Sequence, residues 1–385
     1  MKTILVLAGE VSGDHHAAAA VRAIAARHTE ARFVGLGGAE LQAAGVELIE
    51  EFDRLNVMGI AEVIRHLPFF VKLGRRVEAL MDRGVDLVLA VDYPGFNMRM
   101  AKAAKSRGIP VLYYIAPQVW AWKAHRAAKL AADADEIAVI LPFEEEIFRR
   151  EGGSATYVGH PLVDGAPTQV DEAGLRAELG VGEAPILALL PGSRRQELAR
   201  HLELFREVGE RVVSRHPEVR PVVAAATGVD RALLAGTGLP VTTRTRELLR
   251  ISQAALVKSG TSTLEAAVAG VPFIMAYKTS PLTWMVARRV VKVDHIALAN
   301  LVVDRRVIPE FMQGAAQPAA MADALSDLLE PTSPRRLEML DGISEIQAAL
   351  GSPGAAARVA DLADRLLDAA ASGGTSDTAA GASSP

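Results

Sequence analysis

The sequence predicts an α/β protein with parallel sheets arranged in two domains. Three observations carry this. Apolar runs of strand length alternate with helix-length segments through most of the 385 residues, a spacing that implies βαβ units. A second observation is a device that occurs twice: an apolar strand breaks into a glycine turn and a helical pattern follows. The first copy runs Ile4-Leu5-Val6-Leu7-Ala8, then Gly9-Glu10-Val11-Ser12-Gly13-Asp14; the second runs Ile186-Leu187-Ala188-Leu189-Leu190, then Pro191-Gly192-Ser193-Arg194. Third, the copies lie about 180 residues apart, a separation suited to two domains of ordinary size facing each other across a cleft.

In the first half the strand candidates are Thr3–Ala8, Arg32–Gly35, Leu87–Val91, Val111–Ile115, Ile137–Val139 and Ala155–Val158. Gly35-Leu36-Gly37-Gly38 is glycine-rich, but neither it nor Gly9–Asp14 reads G-x-G-x-x-G, which counts against a dinucleotide-dependent oxidoreductase. Residues 159–170 carry Gly159, Pro161, Gly165 and Pro167, the composition of a linker. The domains are therefore drawn as 1–165 and 166–370. In the second half the candidates are Ile186–Leu190, Val222–Ala225, Ala255–Val257 and Phe273–Ala276. From about residue 318 the pattern is helical only, an end that could cross to the other domain or to a partner chain. The tail, residues 371–385, is Gly, Ser, Ala and Thr with one Asp before Pro385 and is expected to be disordered.

Half of the residues are hydrophobic and 23% are charged, which describes a globular chain with ample core material. A net charge of −4 argues against nucleic acid as a partner. There is no cysteine, so disulfides, thiolate metal sites and a cysteine nucleophile are excluded, and a reducing compartment fits. The chain enters a strand directly after Met1-Lys2, without the n-region of a signal peptide, and no run approaches the roughly 20 apolar residues of a spanning helix. A cytoplasmic location is expected.

A strand-to-helix turn aims backbone N–H groups at whatever sits above the sheet, which suits phosphate. The first copy carries Glu10 and Asp14, the second Arg194 and Arg195, so the phosphate end of a ligand is assigned to the second half. Asp92 follows the apolar run Leu87–Val91 and lies at the carboxyl end of a parallel strand, where ligands of open α/β sheets bind. Capping of the next helix is the competing role, and Pro94 puts Asp92 too far upstream for it. Asp133-Ala134-Asp135 has D-x-D spacing but falls at a helix end, so it is read as structural and no metal is expected.

The stretch from Val57 to Leu73 is strongly apolar yet carries Arg65 and Lys72, with Arg75 and Arg76 beyond, and Pro68 should break or kink any helix there. Two core-facing helix ends joined at the proline would explain it. The reading adopted is an interfacial patch near 57–76. Ile64, Leu67, Phe69 and Phe70 would enter lipid, while Arg75 and Arg76 meet anionic head groups.

The sequence resembles the lipid-A-disaccharide synthase family. The motifs that carry the resemblance are Ala8–Asp14, Val57-Met58-Gly59, Val91-Asp92-Tyr93-Pro94-Gly95-Phe96-Asn97, Pro117-Gln118-Val119-Trp120-Ala121-Trp122, Leu141-Pro142-Phe143-Glu144 and Gly159-His160-Pro161. They continue through Leu189–Arg194, Ser259-Gly260-Thr261-Ser262-Thr263-Leu264-Glu265, Ala299-Asn300-Leu301 and Pro309-Glu310-Phe311-Met312-Gln313. Each is weak alone; the ordered set spans nearly the whole chain and is specific. Ala299 departs from the proline that often precedes the asparagine.

The resemblance implies the GT-B architecture, two Rossmann-like domains with the nucleotide sugar resting mainly on the second. It implies an inverting, metal-independent glycosyltransferase with no cofactor. Its substrates would be UDP-2,3-diacylglucosamine and 2,3-diacylglucosamine 1-phosphate (lipid X), and its products the β-1,6-linked disaccharide 1-phosphate and UDP. Asp92 would be the general base and Arg194 the cation on the departing diphosphate. Gly192, Ser193, Ser259, Gly260, Thr261, Ser262, Thr263, Glu265, Asn300, Glu310 and Gln313 would hold the donor. For Thr261, Ser262 and Glu265 the residues alone favour an ordinary capping box, and it is the resemblance that assigns them to the nucleotide. Glu10, Ser12, Gly13, Asp14, Met58 and Asn97 are assigned to the acceptor side; Ser12 and Asp14 could instead cap a helix beginning near His15. The expected setting is the cytoplasmic face of the inner membrane, bound peripherally to anionic lipid, with a homodimer left open. A UDP-N-acetylglucosamine 2-epimerase-like enzyme and a non-catalytic UDP-sugar-binding module remain as alternatives.

Overall fold

The computed structural model describes residues 1–51, 60–122, 125–226, 229, 232–290 and 293–373. The described residues divide into two compact units, one within 1–161 joined by 353–373 and the other within 162–352.

The first unit is built on seven strands: β1 (Thr3–Ala8), β2 (Arg32–Gly37), β3 (Val46–Glu51), β4 (Leu87–Val91), β5 (Val111–Tyr114), β6 (Glu136–Val139) and β7 (Ala155–Tyr157). Their order is β3-β2-β1-β4-β5-β6-β7, and every neighbouring pair is parallel. Strand residues alternate between two buried layers. Leu5, Leu7, Val88, Ala90, Val111 and Tyr113 pack with Leu73, Val77 and Met100 on one face. Ile4, Val6, Leu87, Leu89, Leu112 and Tyr114 pack with Ala17, Val21 and Ile24 on the other. Both faces are covered, which is why the strands read as unbroken apolar runs.

The second unit holds six: β8 (Ile186–Leu190), β9 (Arg220–Ala224), β10 (Val241–Thr242), β11 (Ala254–Lys258), β12 (Phe273–Tyr277) and β13 (Glu310–Met312). They are ordered β10-β9-β8-β11-β12-β13, again all parallel. In each sheet the strand order reverses once, at β1/β4 and at β8/β11. Such switch points leave a crevice beyond the carboxyl ends of the two strands. Both glycine turns and Asp92 emerge there.

Several expectations change. The strands β3, β10 and β13 were not expected, and all three are sheet edges. β3 carries three glutamates and β10 has two residues, so neither shows a buried-strand pattern. The first helix starts at Val11 rather than near His15. Helix Ile60–Met81 runs through Pro68 as one element. An internal proline costs about 3 kcal/mol, but Pro68 is exposed, and burial of Leu73, Val77 and Met81 fastens the helix to the core. The domain boundary falls after Pro161, and the last helix, Ala355–Gly373, joins the first unit rather than the second. Its Val359, Ala360, Ala363 and Leu367 complete the layer beneath helix Val11–Ala25. Arg27 donates to Asp361 at 2.6 Å and Asp364 at 2.7 Å along the same seam. Met58 and the tail from residue 374 lie outside the described residues.

Candidate active site

At the first switch point the turns leaving β1 and β4 meet. A Cβ on Gly9 would lie 2.4 Å from the Tyr93 ring, so glycine is what lets that ring lie over the turn. Asp92 and Tyr93 have φ of 50° and 47°, a left-handed pair that costs L residues roughly 1–2 kcal/mol each. Hydrogen bonds hold it in place. The Asp92 N–H donates to the Tyr114 carbonyl at 2.9 Å. The Asp92 carbonyl accepts from the Tyr113 hydroxyl and from Asn97 Nδ2, each at 2.8 Å. Helix Pro94–Lys105 begins only after Tyr93, so Asp92 does not cap it. Burial, and then the charge of Glu10, raise the Asp92 carboxyl to about 6, against a backbone hydrogen bond at Tyr93 that lowers it. Glu10 itself is exposed and its side chain caps nothing. A carboxyl tuned towards neutrality at a strand end has the chemistry of a proton acceptor.

Two residues assigned to this site have other work. Asp14 is buried and accepts from the N–H groups of Gly38 (2.6 Å), Glu40 (3.1 Å) and Leu41 (3.3 Å), so it caps helix Ala39–Ala43 instead of facing a ligand. Asn97 is also buried, and its Nδ2 serves the carbonyls of Leu7 (3.0 Å), Val91 (3.1 Å) and Asp92. Ser12 stays exposed in the first turn of its helix, and Gly13 is buried beneath it.

At the second switch point Gly192 has φ of 123°, and a Cβ there would stand 2.7 Å from Glu197 Oε2. That oxygen accepts from the N–H groups of Ser193 (3.1 Å) and Arg194 (3.4 Å), while Oε1 accepts from Lys258 Nζ at 2.8 Å. Two of the amides expected to meet phosphate are therefore occupied by an internal carboxylate. His201, one turn further, fixes Glu197 from behind. Its Nδ1 donates to the Glu197 carbonyl at 2.8 Å and its Nε2 accepts the Lys278 N–H at 2.9 Å, which requires a neutral ring. Burial lowers the His201 pKa in the same sense.

A cavity of about 530 Å³ opens beside this turn, within the range of small-molecule sites. Gly192 and Ser193 line it from one side, Thr261, Ser262 and Glu265 from another, and Thr243–Glu247 from a third. The last group was missed in the sequence because the preceding strand has only two residues. Its signal is the alternation Thr243-Arg244-Thr245-Arg246. Arg244 Nε donates to Glu247 at 2.7 Å and Arg246 Nη1 to the Gly165 carbonyl at 2.7 Å. Burial raises the Glu265 pKa, opposed by the charge of Arg246 and a hydrogen bond from Ser262. Arg194 and Arg195 follow Ser193 in the chain and are both exposed, and neither lines the cavity; Arg194 Nη1 is 3.9 Å from Glu197 Oε1. Ser259, Gly260 and Thr263 shape the turn rather than line the cavity. The Ser259 N–H donates to Ala276 at 3.2 Å and Thr263 Oγ1 to Gly260 at 2.8 Å.

Solved structures similar to this chain share its architecture. CalG4, the calicheamicin glycosyltransferase, covers 96% of this chain and 98% of its own, with a TM-score of 0.60 at 20% identity. The UDP-GlcNAc 2-epimerase from Neisseria meningitidis, bound to UDP-GlcNAc, covers 96% and 100%, with a TM-score of 0.59 at 12% identity. A transferase and an epimerase fit equally well, so the fold alone does not separate them. The sequence does. The family model for lipid-A-disaccharide synthetase matches residues 4–353. The chain belongs to the lipid-A-disaccharide synthase family. It is 40% identical to the lipid-A-disaccharide synthase of Myxococcus xanthus over 94% of this chain and 97% of that one. With that of Acidobacterium capsulatum it shares 37% identity, over 94% and 96%. It is thus a glycosyltransferase of the GT-B type.

Membership in the lipid-A-disaccharide synthase family does not make every motif residue a ligand contact. Asn300 is fully buried: Nδ2 donates to Ile308 and to Glu310 at 2.9 Å each, and Oδ1 accepts from Val307 (3.0 Å) and Ile308 (2.8 Å). Glu310 accepts from the N–H groups of Ile296 (3.1 Å) and Ala297 (2.9 Å), capping helix Leu298–Val302. Gln313 clips the backbone of Thr279, accepting at 3.4 Å and donating at 3.3 Å. None of the three lines the cavity; their side chains fold the segment after β12.

Asp135 accepts from the Val111 N–H at 2.9 Å and pairs with Lys105, the structural role expected of that D-x-D. Among the described residues no group of His, Cys, Asp and Glu could hold a metal ion, and no helix is long and apolar enough to cross a membrane. In the expected patch Phe69 and Phe70 are half-buried against the core, with ring centroids 5.5 Å apart. Lys72 and Arg75 are exposed, while Arg76 donates to Glu50 at 2.8 Å and to the Ile49 carbonyl at 2.6 Å. The side chains of Ile64 and Leu67 lie outside the described residues.

Proposed function

We propose that this enzyme transfers 2,3-diacylglucosamine from UDP to the 6-hydroxyl of 2,3-diacylglucosamine 1-phosphate, with inversion, giving the β-1,6-linked disaccharide 1-phosphate and UDP. The observation that carries this reading is the family match across residues 4–353. Asp92 takes the proton from the attacking hydroxyl, helped by a pKa raised to about 6. Arg194 meets the charge that grows on the departing diphosphate. The cavity beside Ser193 and Glu265 receives the nucleotide, with Glu265 accepting from the ribose hydroxyls. Glu10 and Ser12 stand on the acceptor side. Charge on the diphosphate is met by a guanidinium, so no metal is needed. With both acylated substrates in detergent and EDTA, disaccharide 1-phosphate and UDP are expected in equal amounts. Absence of the disaccharide from folded protein, or turnover abolished by EDTA and restored by a divalent ion, would overturn the reading.

The same reading places the enzyme at an anionic membrane surface on the cytoplasmic face of the inner membrane, where its acylated substrates reside. Helix Ile60–Met81 supports this with exposed Lys72 and Arg75. Attraction of roughly 1 kcal/mol per basic residue near such a surface is screened by salt. Sedimentation with vesicles containing anionic phospholipid is therefore expected at low salt, weakened in a Lys72→Glu/Arg75→Glu variant. Equal binding to neutral vesicles would exclude this electrostatic mode.

A further inference from the structure

Tyr113 lies on β5, an interior strand of the first sheet beside β4, with no exposed surface. Phenylalanine would fill the same apolar space without a hydroxyl to satisfy. Among the described residues the hydroxyl makes one hydrogen bond, donating to the backbone carbonyl of Asp92 at 2.8 Å. Asn97 reaches the same carbonyl from the following helix, also at 2.8 Å. The asparagine makes this contact at a cost, because its buried Oδ1 has no hydrogen-bond partner among the described residues. Two buried polar side chains thus converge on one carbonyl at the only place where two consecutive non-glycine residues have left-handed backbone among the described residues. On the other flank the Tyr93 ring is seated against Gly9.

We propose that Tyr113 is a positioning residue for Asp92, acting with Asn97 through the Asp92 backbone carbonyl to fix the direction of the carboxylate. Because its phenol is enclosed by the core, Tyr113 touches no substrate. It holds the carbonyl end of a strained peptide, and the strained peptide holds the catalytic carboxyl beside Glu10. Released from both donors, residues 92 and 93 would relax towards extended backbone and swing the carboxyl out to solvent. This inference rests on the assignment of Asp92 as the proton acceptor.

The test is Tyr113→Phe, assayed beside Asp92→Asn. Misplacing a reacting group by about 1 Å costs up to roughly 10²-fold. The expected result is therefore a fall in kcat of roughly 10–100-fold, with KM for the UDP-sugar within twofold of wild type. The acid limb of the kcat/KM profile should also move to lower pH, as the carboxyl gains water. A merely structural tyrosine would lower the melting temperature and leave both kcat and the acid limb where they were, which would overturn the proposal. If Asp92→Asn is inactive while Tyr113→Phe behaves as wild type, only the positioning role fails. If Asp92→Asn is active, the base assignment falls and this inference with it. Should Tyr113→Phe not fold, Asn97→Ser weakens the second clamp and is read by the same kcat and pH measurements.

Discussion

Asp92→Asn is expected to lower kcat by roughly 10²–10⁴-fold, the usual contribution of a general base, and to stabilise the fold at pH 7. The two effects have one origin. Burial and the nearby Glu10 charge raise the Asp92 carboxyl from 3.8 to about 6. A raised carboxyl binds its proton more tightly in the folded state than in the unfolded one. Folding stability is therefore unimpaired below the unfolded value and declines as pH rises from about 4 through 6. A difference of about two pH units corresponds to some 2–3 kcal/mol at neutral pH, which the neutral amide recovers. Melting curves of both proteins at pH 4 and pH 7 check this: the variant gains only at the higher pH. In the wild type the base is active when ionised, so kcat/KM should fall below about pH 6. Glu10→Gln removes a like charge, lowers the Asp92 pKa and shifts that limb to lower pH. Turnover of Asp92→Asn within a few-fold of wild type would end the assignment.

How far the sequence could be read depended on what its residues were doing. Interior strands such as Leu87–Val91 and Ile186–Leu190 were legible because both faces are buried. The edge strands were not, since Val46–Glu51 carries three glutamates and Val241–Thr242 offers no periodicity. The two switch points follow from the paired glycine turns, and Asp92 from its place after a strand. Polar residues were harder. Asp14, Asn300 and Glu310 have side chains equally able to serve a ligand or a backbone, and only the folded chain shows their atoms consumed by N–H groups. The reverse happened at Glu197. Three residues from Arg194 on a helix, it has the spacing of a surface ion pair, whereas it is a half-buried anchor between Lys258 and the Gly192 turn. The last helix could not be allotted to a domain from its pattern, because an apolar face does not say which sheet it covers.

Arg194→Met is the second large effect expected, and the contacts of Glu197 supply the reason. Phosphate at a helix start ordinarily draws on the first free amides, yet those of Ser193 and Arg194 are taken by the Glu197 carboxylate. Stabilisation of the leaving diphosphate at this turn then falls more heavily on a side chain. The two cavity-lining arginines are already engaged, Arg244 by Glu247 and Arg246 by the Gly165 carbonyl. Arg194 is the least committed of the three, 61% exposed and 3.9 Å from Glu197, its one ion-pair partner among the described residues. An exposed pair of that kind contributes about 0–1 kcal/mol to folding, so the melting temperature should scarcely move. Loss of a donor aimed at developing charge costs roughly 10²–10³-fold in kcat. Arg195→Met, one residue into the same helix, controls for general loss of positive charge and should stay within a few-fold of wild type. Equal losses from both variants would mean that the helix start acts as a diffuse positive field rather than through one guanidinium. An unaffected Arg194→Met would return the diphosphate to Arg244 and Arg246, which would then have to leave their present partners when the donor binds.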